Sequence, residues 1–332
     1  MKNVTTTSTR RSLLCTVLGS AIMPMASIVG AQPKYPSRTV VVVSPFSAGG
    51  LNDMCSRAVA RGLQQTLNET VVVENRPGGN TMIGLEHVAR SAPDGHTLVT
   101  VSDANMTYLP SLMPNLSFSL EKDFAPITMI GIVPMVIIVR PGLDVNSVRD
   151  LIALAKAQPG KLNFASAGVG TAPHMTGELF KFRAGVNMVH VPYKGAMLAV
   201  TDVIAGHVDL MFADLGTALN HIKSGKVRAI AITTKERKST LPDLPPIADT
   251  LDGFDARLWI GMAARAGTPV DIIRRLNHDI VASLQKPEIG GPISSQGMTL
   301  ATNSVEEFTR MIAEDRMRFA QIIRSGGIKL ED

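Results

Sequence analysis

The sequence predicts an α/β fold in two domains, and three observations carry that reading. A chain of 332 residues with 45% hydrophobic composition can bury a sizeable core, and domains of about 100 to 200 residues divide it in two. Only 4% of residues are aromatic while 28 are Gly and 20 are Pro, which favours many turns and α/β layering over a β-sandwich. From residue 39 onward, short β-branched runs alternate with segments of helical spacing.

The first 31 residues stand apart. Lys2, Arg10 and Arg11 precede a mostly apolar stretch from Leu13 to Val29, and Val29-Gly30-Ala31 offers a cleavage site before Gln32. This is the pattern of a cleaved export signal; the paired arginines also approach a twin-arginine signal. Strands are then predicted at Thr39–Ser44, Thr70–Glu74, Thr97–Val101, Val136–Arg140, Leu162–Ala165, Met188–Val191, Val208–Phe212 and Val227–Thr233. Helices are predicted at Asn52–Leu67, Val148–Ala157, Pro173–Ala184 and Met197–Ala205, and then at Pro269–Gln285 and Ser304–Ile323. Ser147 with Asp150 reads as a capping box, and Pro159-Gly160 ends that helix. Such alternation predicts parallel sheets with crossover helices. The strands fall into two groups, and Trp259–Ala263 is a candidate for a strand returning to the first, which would leave a cleft between lobes.

Charge and cysteine usage narrow the function. The leader holds three of the 33 basic residues and none of the 28 acidic ones. The processed chain is therefore near +2, which gives no support for a nucleic-acid partner. With Cys15 in the leader, Cys55 is the only remaining thiol, so no internal disulfide can form; its apolar helical setting favours burial.

Two strand-to-helix loops can carry binding. "SPFSAGGLND", 44–53, follows Val40–Val43, and Gly49 and Gly50 let backbone amides approach a ligand at a helix start. The phosphate-loop pattern is missing, and no lysine occurs between Lys34 and Lys122, so the loop suits a small anion and not a nucleotide. Asp53 in the first helical turn either caps free amides or accepts a hydrogen bond from a ligand ammonium or hydroxyl. "ASAGVGTAPH", 165–174, is the second loop: Pro173 stands where a dinucleotide fingerprint needs its third glycine, and Phe164 breaks the nucleophile-elbow pattern around Ser166. His174 either holds the loop or meets the ligand. His190 ends a strand in "HVPYKG". His174 and Glu178 share a helical face but lack further ligands in register, so no metal is expected. Asp214 faces the cleft or caps the next helix.

The ordered segments "YPSRTVVVVSPFSAGGLND", "VVVENRPGG", "APDGHTLV", "KDFAPIT", "QPGKLNFASAGVGTAPHMTGELF", "HVPYKG", "VIAGHVDLMFADL" and "GKVRAIAITTKER" resemble the substrate-binding receptors of tripartite tricarboxylate transporters, the TctC-like or Bug family. The resemblance spans residue 35 to the end. It implies a two-lobed periplasmic-binding-protein fold, type II-like, with a ligand cleft and two crossing segments: lobe 1 from 32–131 plus 253–332, lobe 2 from 132–252. It implies a periplasmic receptor, cleaved near Ala31, that performs no reaction and needs no cofactor or metal. Its partners would be a small organic carboxylate (a di- or tricarboxylate, an acidic amino acid or an aromatic acid) and the membrane subunits of a transporter. The ligand-binding residues it implies are Phe46, Ser47, Ala48, Gly49, Gly50 and Asp53 in the first loop. In the second they are Ser166, Ala167, Gly168, Gly170, Thr171 and His174, with Ala213 and Asp214 also lining the cleft. Asn80 and Thr81 replace small residues usual after "ENRPG", and His96 stands where Tyr is usual. Two other readings compete: a ligand sensor for a membrane signalling partner, and a secreted hydrolase built from Ser166, a histidine and Asp214.

Overall fold

A computed structural model describes residues 1, 3, 35–113, 115–235 and 241–329. The expected leader, 1–31, lies outside the described residues apart from the first and third. The chain begins with β1 (Val40–Ser44), α1 (Leu51–Leu67), β2 (Val71–Asn75), α2 (Met82–Ala89), β3 (Thr97–Ser102), α3 (Leu109–Leu112) and β4 (Phe124–Val133). It passes through Pro134 into β5 (Met135–Val139), α4 (Val148–Ala157), β6 (Asn163–Ser166), α5 (Ala172–Ala184) and β7 (Val189–Pro192). Next come α6 (Ala196–Ala205), β8 (Leu210–Asp214), α7 (Leu215–Lys223) and β9 (Arg228–Ile232). It returns as β10 (Leu258–Arg265), α8 (Val270–Leu284), α9 (Pro287–Ser294), β11 (Thr299–Leu300) and α10 (Val305–Gly326).

Two sheets result, ordered β11-β4-β10-β3-β1-β2 and β7-β6-β8-β5-β9. The predicted parallel sheets are corrected to mixed ones. β1 runs parallel to β2 and β3, and β6 parallel to β7 and β8, but β10 is antiparallel to β3 and β4, and β5 antiparallel to β8 and β9. The reason is the crossing itself: a strand arriving from the other sheet starts at the edge where its neighbours end. β5 and β10, the first strands after each crossing, are therefore the reversed ones.

β4 was not legible in the sequence because Pro126 reads as a strand breaker. In the structure Ala263 pairs with Pro126 and Met262 with Thr128, so Ile127 is the extra residue of a bulge that accommodates the proline. At α4 the Ser147 hydroxyl accepts the Asp150 amide, but the Asp150 carboxylate reaches back to the amide of Asn146. A reciprocal capping box forms instead at Ser304 and Glu307, opening α10.

Val40, Val42 and Val43 are fully buried, Val40 and Val42 toward α1, α8 and α9, Val43 toward the opposite core. Burial on both faces explains the unbroken valine run. One hydrophobic cluster continues from Phe164, Phe180 and Phe212 around the second sheet to Trp259 and Phe308 beside the first, so Tyr35–Asp332 forms one compact unit.

The turn after β2 holds two non-glycine residues at positive φ, Asn80 at 52° and Thr81 at 76°. Asn tolerates this region, whereas a β-branched threonine is strained there, and the Thr81 hydroxyl is buried with no partner. Thr81→Gly should therefore raise unfolding stability by about 1 kcal/mol, the relief of strain exceeding the added chain entropy; urea denaturation measures it.

Candidate functional site

The first loop is shaped by a buried carboxylate. Asp53, 2% exposed, sits in the first turn of α1 and reaches back to accept the Gly49 amide at 3.0 Å. It also accepts Arg57 Nε at 2.9 Å and Asn75 Nδ2 at 2.8 Å. Asn75, the last residue of β2, donates as well to the Phe46 carbonyl at 3.1 Å, which ties both ends of the Phe46–Asp53 turn to the neighbouring strand. Burial alone would raise the Asp53 pKa, but hydrogen bonds from Arg57, Gly49 and Asn75 outweigh it and hold the carboxyl below its ordinary value. Gly49 has φ of +88° with open space around it, so backbone conformation and not crowding calls for glycine. Ser47, Ala48, Gly49 and Gly50 are exposed and Phe46 is half-buried. α1 begins after Gly50, and among the described residues no side chain bonds to its first amides, leaving them available to an anion.

The second loop is braced by neutral groups. Ser166 is fully buried at the end of β6; its hydroxyl accepts the Gly168 amide at 3.1 Å and shares a 2.6 Å hydrogen bond with His190 Nε2. Thr171 Oγ1 donates to the Gly168 carbonyl at 2.7 Å. Gly170 donates its amide to His174 Nδ1 at 3.1 Å, so in that hydrogen bond the ring nitrogen is unprotonated. The His174 and His190 rings stack at 3.8 Å. Burial, then the nearby His190 and Lys181, push His174 down to about 3, and burial and Lys181 push His190 down to about 4. Ala167 is half-buried, and Gly168 and Gly170 have φ of +135° and +73°. As at α1, among the described residues no side chain caps the start of α5, where Pro173 has no amide to offer.

Asp214 ends β8 and caps α7: its Oδ1 accepts the Thr217 amide at 2.8 Å and the Thr217 hydroxyl at 2.5 Å. It also lines a cavity of about 580 Å³ whose other walls are Gly49 and Asn52 of the first loop and helix, Val133 and Leu258 at the crossings, and the 295–297 turn after α9. Both readings of Asp214 therefore hold together. Gly49 and Asp214 meet in this cavity, whereas Ser166–His174 do not line it. Ala213 is fully buried in the core of the second lobe among α6 and α7 side chains. Sequence reasoning did not find Asn52, Thr217, Asn220 or Gln296, which also line the cavity. Asn52 and Thr217 could have been found from their positions in the first turns of two helices that follow sheet strands; Gln296 sits in a C-terminal turn with no local signal. His96 lies at the start of β3 beside Tyr35, at the opposite end of the strand from the loops.

A hydrolytic triad is not assembled. Ser166 meets His190, but the only described partner of the Asp214 carboxylate is Thr217. Among the described residues no group of three or more His, Cys, Asp and Glu could hold a metal ion. Glu178 stands 3.9 Å from His174 Nε2 and is bonded by Lys181 at 2.7 Å. No described helix is long and apolar enough to cross a membrane.

Known proteins resemble this chain over most of its length. The model of the tripartite tricarboxylate transporter family receptor matches residues 55–328. Protein BugT of Bordetella pertussis is 36% identical over 299 residues, covering 90% of this chain and 92% of BugT. The structure of the periplasmic binding protein BugD shares 34% identity at a TM-score of 0.69, covering 90% of this chain and all of that one. Rpa4515 of R. palustris, solved with adipate, shares 29% identity at a TM-score of 0.73 with the same coverage.

Two outcomes follow from the braces. Asn75→Ala removes the two hydrogen bonds it donates and the one its Oδ1 accepts from Arg57, and strands a buried carboxylate oxygen, so unfolding stability measured in urea should fall by about 2–3 kcal/mol. For the histidines, the folded state binds protons less readily than the unfolded chain, whose imidazoles titrate near 6.5. Their stabilisation is complete above 6.5 and is lost as pH falls through the window down to about 4 and 3. His174→Gln, which keeps an acceptor but cannot titrate, should flatten the decline of melting temperature between those limits.

Proposed function

This chain belongs to the tripartite tricarboxylate transporter receptor family of periplasmic solute-binding proteins, and we propose from that premise that its solute is a small organic carboxylate. The observation that carries the reading is the uncapped start of α1 at Gly50, opening on a cavity whose other wall belongs to the second lobe. Backbone amides at a helix start hold a carboxylate without the desolvation cost of burying an arginine. Gly49 and Gly50, with the backbone of Phe46, Ser47 and Ala48, form the first half of the proposed seat. Gly168, Gly170 and Thr171, on a loop held by Ser166 and His174, close on it from the second lobe. Asp53 acts by bracing the first loop. Closure excludes water and strengthens each bond to the anion.

The proposed moving units are 32–131 with 253–332 against 132–252, hinged where the chain crosses between the sheets. The leader is cleaved near Ala31, the protein performs no reaction, and the closed form delivers its solute to transporter membrane subunits. Support comes from the family match and from a related structure that holds adipate.

The purified protein should be stabilised by about 2.7 kcal/mol at a carboxylate concentration one hundred times its dissociation constant. A thermal-shift panel of organic acids against neutral sugars and amines tests this; shifts confined to the neutral or cationic solutes would remove the carboxylate reading.

A further inference from the structure

Two helices begin at the cavity, both turning their positive N-terminal ends toward it, and they differ in what already sits there. α1 starts at Gly50 with no side chain on its first amides, whereas the start of α7 is already occupied by the protein's own carboxylate, Asp214. Asp214 gives only Oδ1 to that cap; its Oδ2 accepts no hydrogen bond from the described residues, and Asp214 is one of the residues lining the cavity. No lysine, arginine or histidine among the described residues joins it there. Arg57, in α1, is engaged with Asp53 and lines a separate groove with Arg61 and Gln64. The remaining polar side chains of the cavity are neutral: Asn52, whose Oδ1 is buried without a partner, with Thr217, Asn220, Ser295 and Gln296.

Such a wall can hold one carboxylate at α1 and has nothing to neutralise a second. A second carboxylate reaching across to α7 would meet Asp214 as a like charge in a site that loses water on closure. A hydroxyl or ammonium reaching the same point would donate to Oδ2. Accepting the carboxylate reading of the site, we propose that this receptor selects a monocarboxylate whose far end carries a hydrogen-bond donor, and that Asp214 imposes the choice. Its preference thus differs from the dicarboxylate adipate held by Rpa4515.

Titration calorimetry on the purified protein tests this with succinate, glutarate and adipate, each beside the two analogues in which one carboxylate is replaced by a hydroxyl or an ammonium. The tightest donor-bearing acid should bind at least about tenfold more tightly than the tightest diacid. Asp214→Asn should shrink or reverse that ratio while keeping the unliganded melting temperature, because Asn caps a helix as well as Asp. Asp214→Ser, also a good cap, repeats the measurement if the first variant folds poorly. A diacid bound as tightly as its analogues by the unaltered protein overturns the selectivity and leaves the carboxylate receptor standing. An unchanged ratio in both variants overturns the role of Asp214. Failure of every acid to bind removes the carboxylate reading together with this inference.

Discussion

The buried carboxylate of Asp53 sets the form of the binding loop. Three donors from three places converge on it: the amide of Gly49 before the helix, the guanidinium of Arg57 one turn on, and the amide side chain of Asn75 at the end of the adjacent strand. A carboxylate removed from water is stable only when its oxygens are satisfied and its charge is paired. Because all three partners are fixed, the turn between β1 and α1 is fixed with them. The exposed glycines at its tip can then present backbone groups without being floppy.

The second lobe solves the same problem without charge. Ser166, Thr171, His174 and His190 stitch their loop through neutral hydrogen bonds and a ring stack. Among the described residues no lysine, arginine or histidine lines the cavity, so the proposed recognition rests on backbone amides, neutral side chains and the one oxygen of Asp214 that the helix cap leaves open.

Topology puts these parts face to face. The strands leading to both loops end at the edges that the crossing segments join. β5 and β10 run against their neighbours because each enters its sheet from that shared edge. The bulge at Ile127 lets β4 carry a proline and still pair along β10 to the crossing. A hydrophobic cluster running past both sheets restrains the lobes while the cavity side stays open to solvent.

The alternation of strands and helices over most of the chain, the buried valine strand, the two glycine-rich loops and the first turn of α1 were legible in the sequence, because each depends on local periodicity, turn chemistry or helix-end preferences. The role of Asp53 was left open there and needed the fold: its deciding partner, Asn75, lies 22 positions away in a segment that reads only as a strand end and turn. The stack of His174 on His190, the meeting of Gly49 with Asp214, and the turn at Gln296 likewise join residues with no regular spacing between them. β4 stayed hidden because a proline is excluded from a strand only when its amide would have to bond, and pairing with β10 bulges at that point. Local rules specify what each segment can be; which side chains share a buried charge or a cavity wall is set only when the chain crosses between its sheets and brings distant loops to one edge.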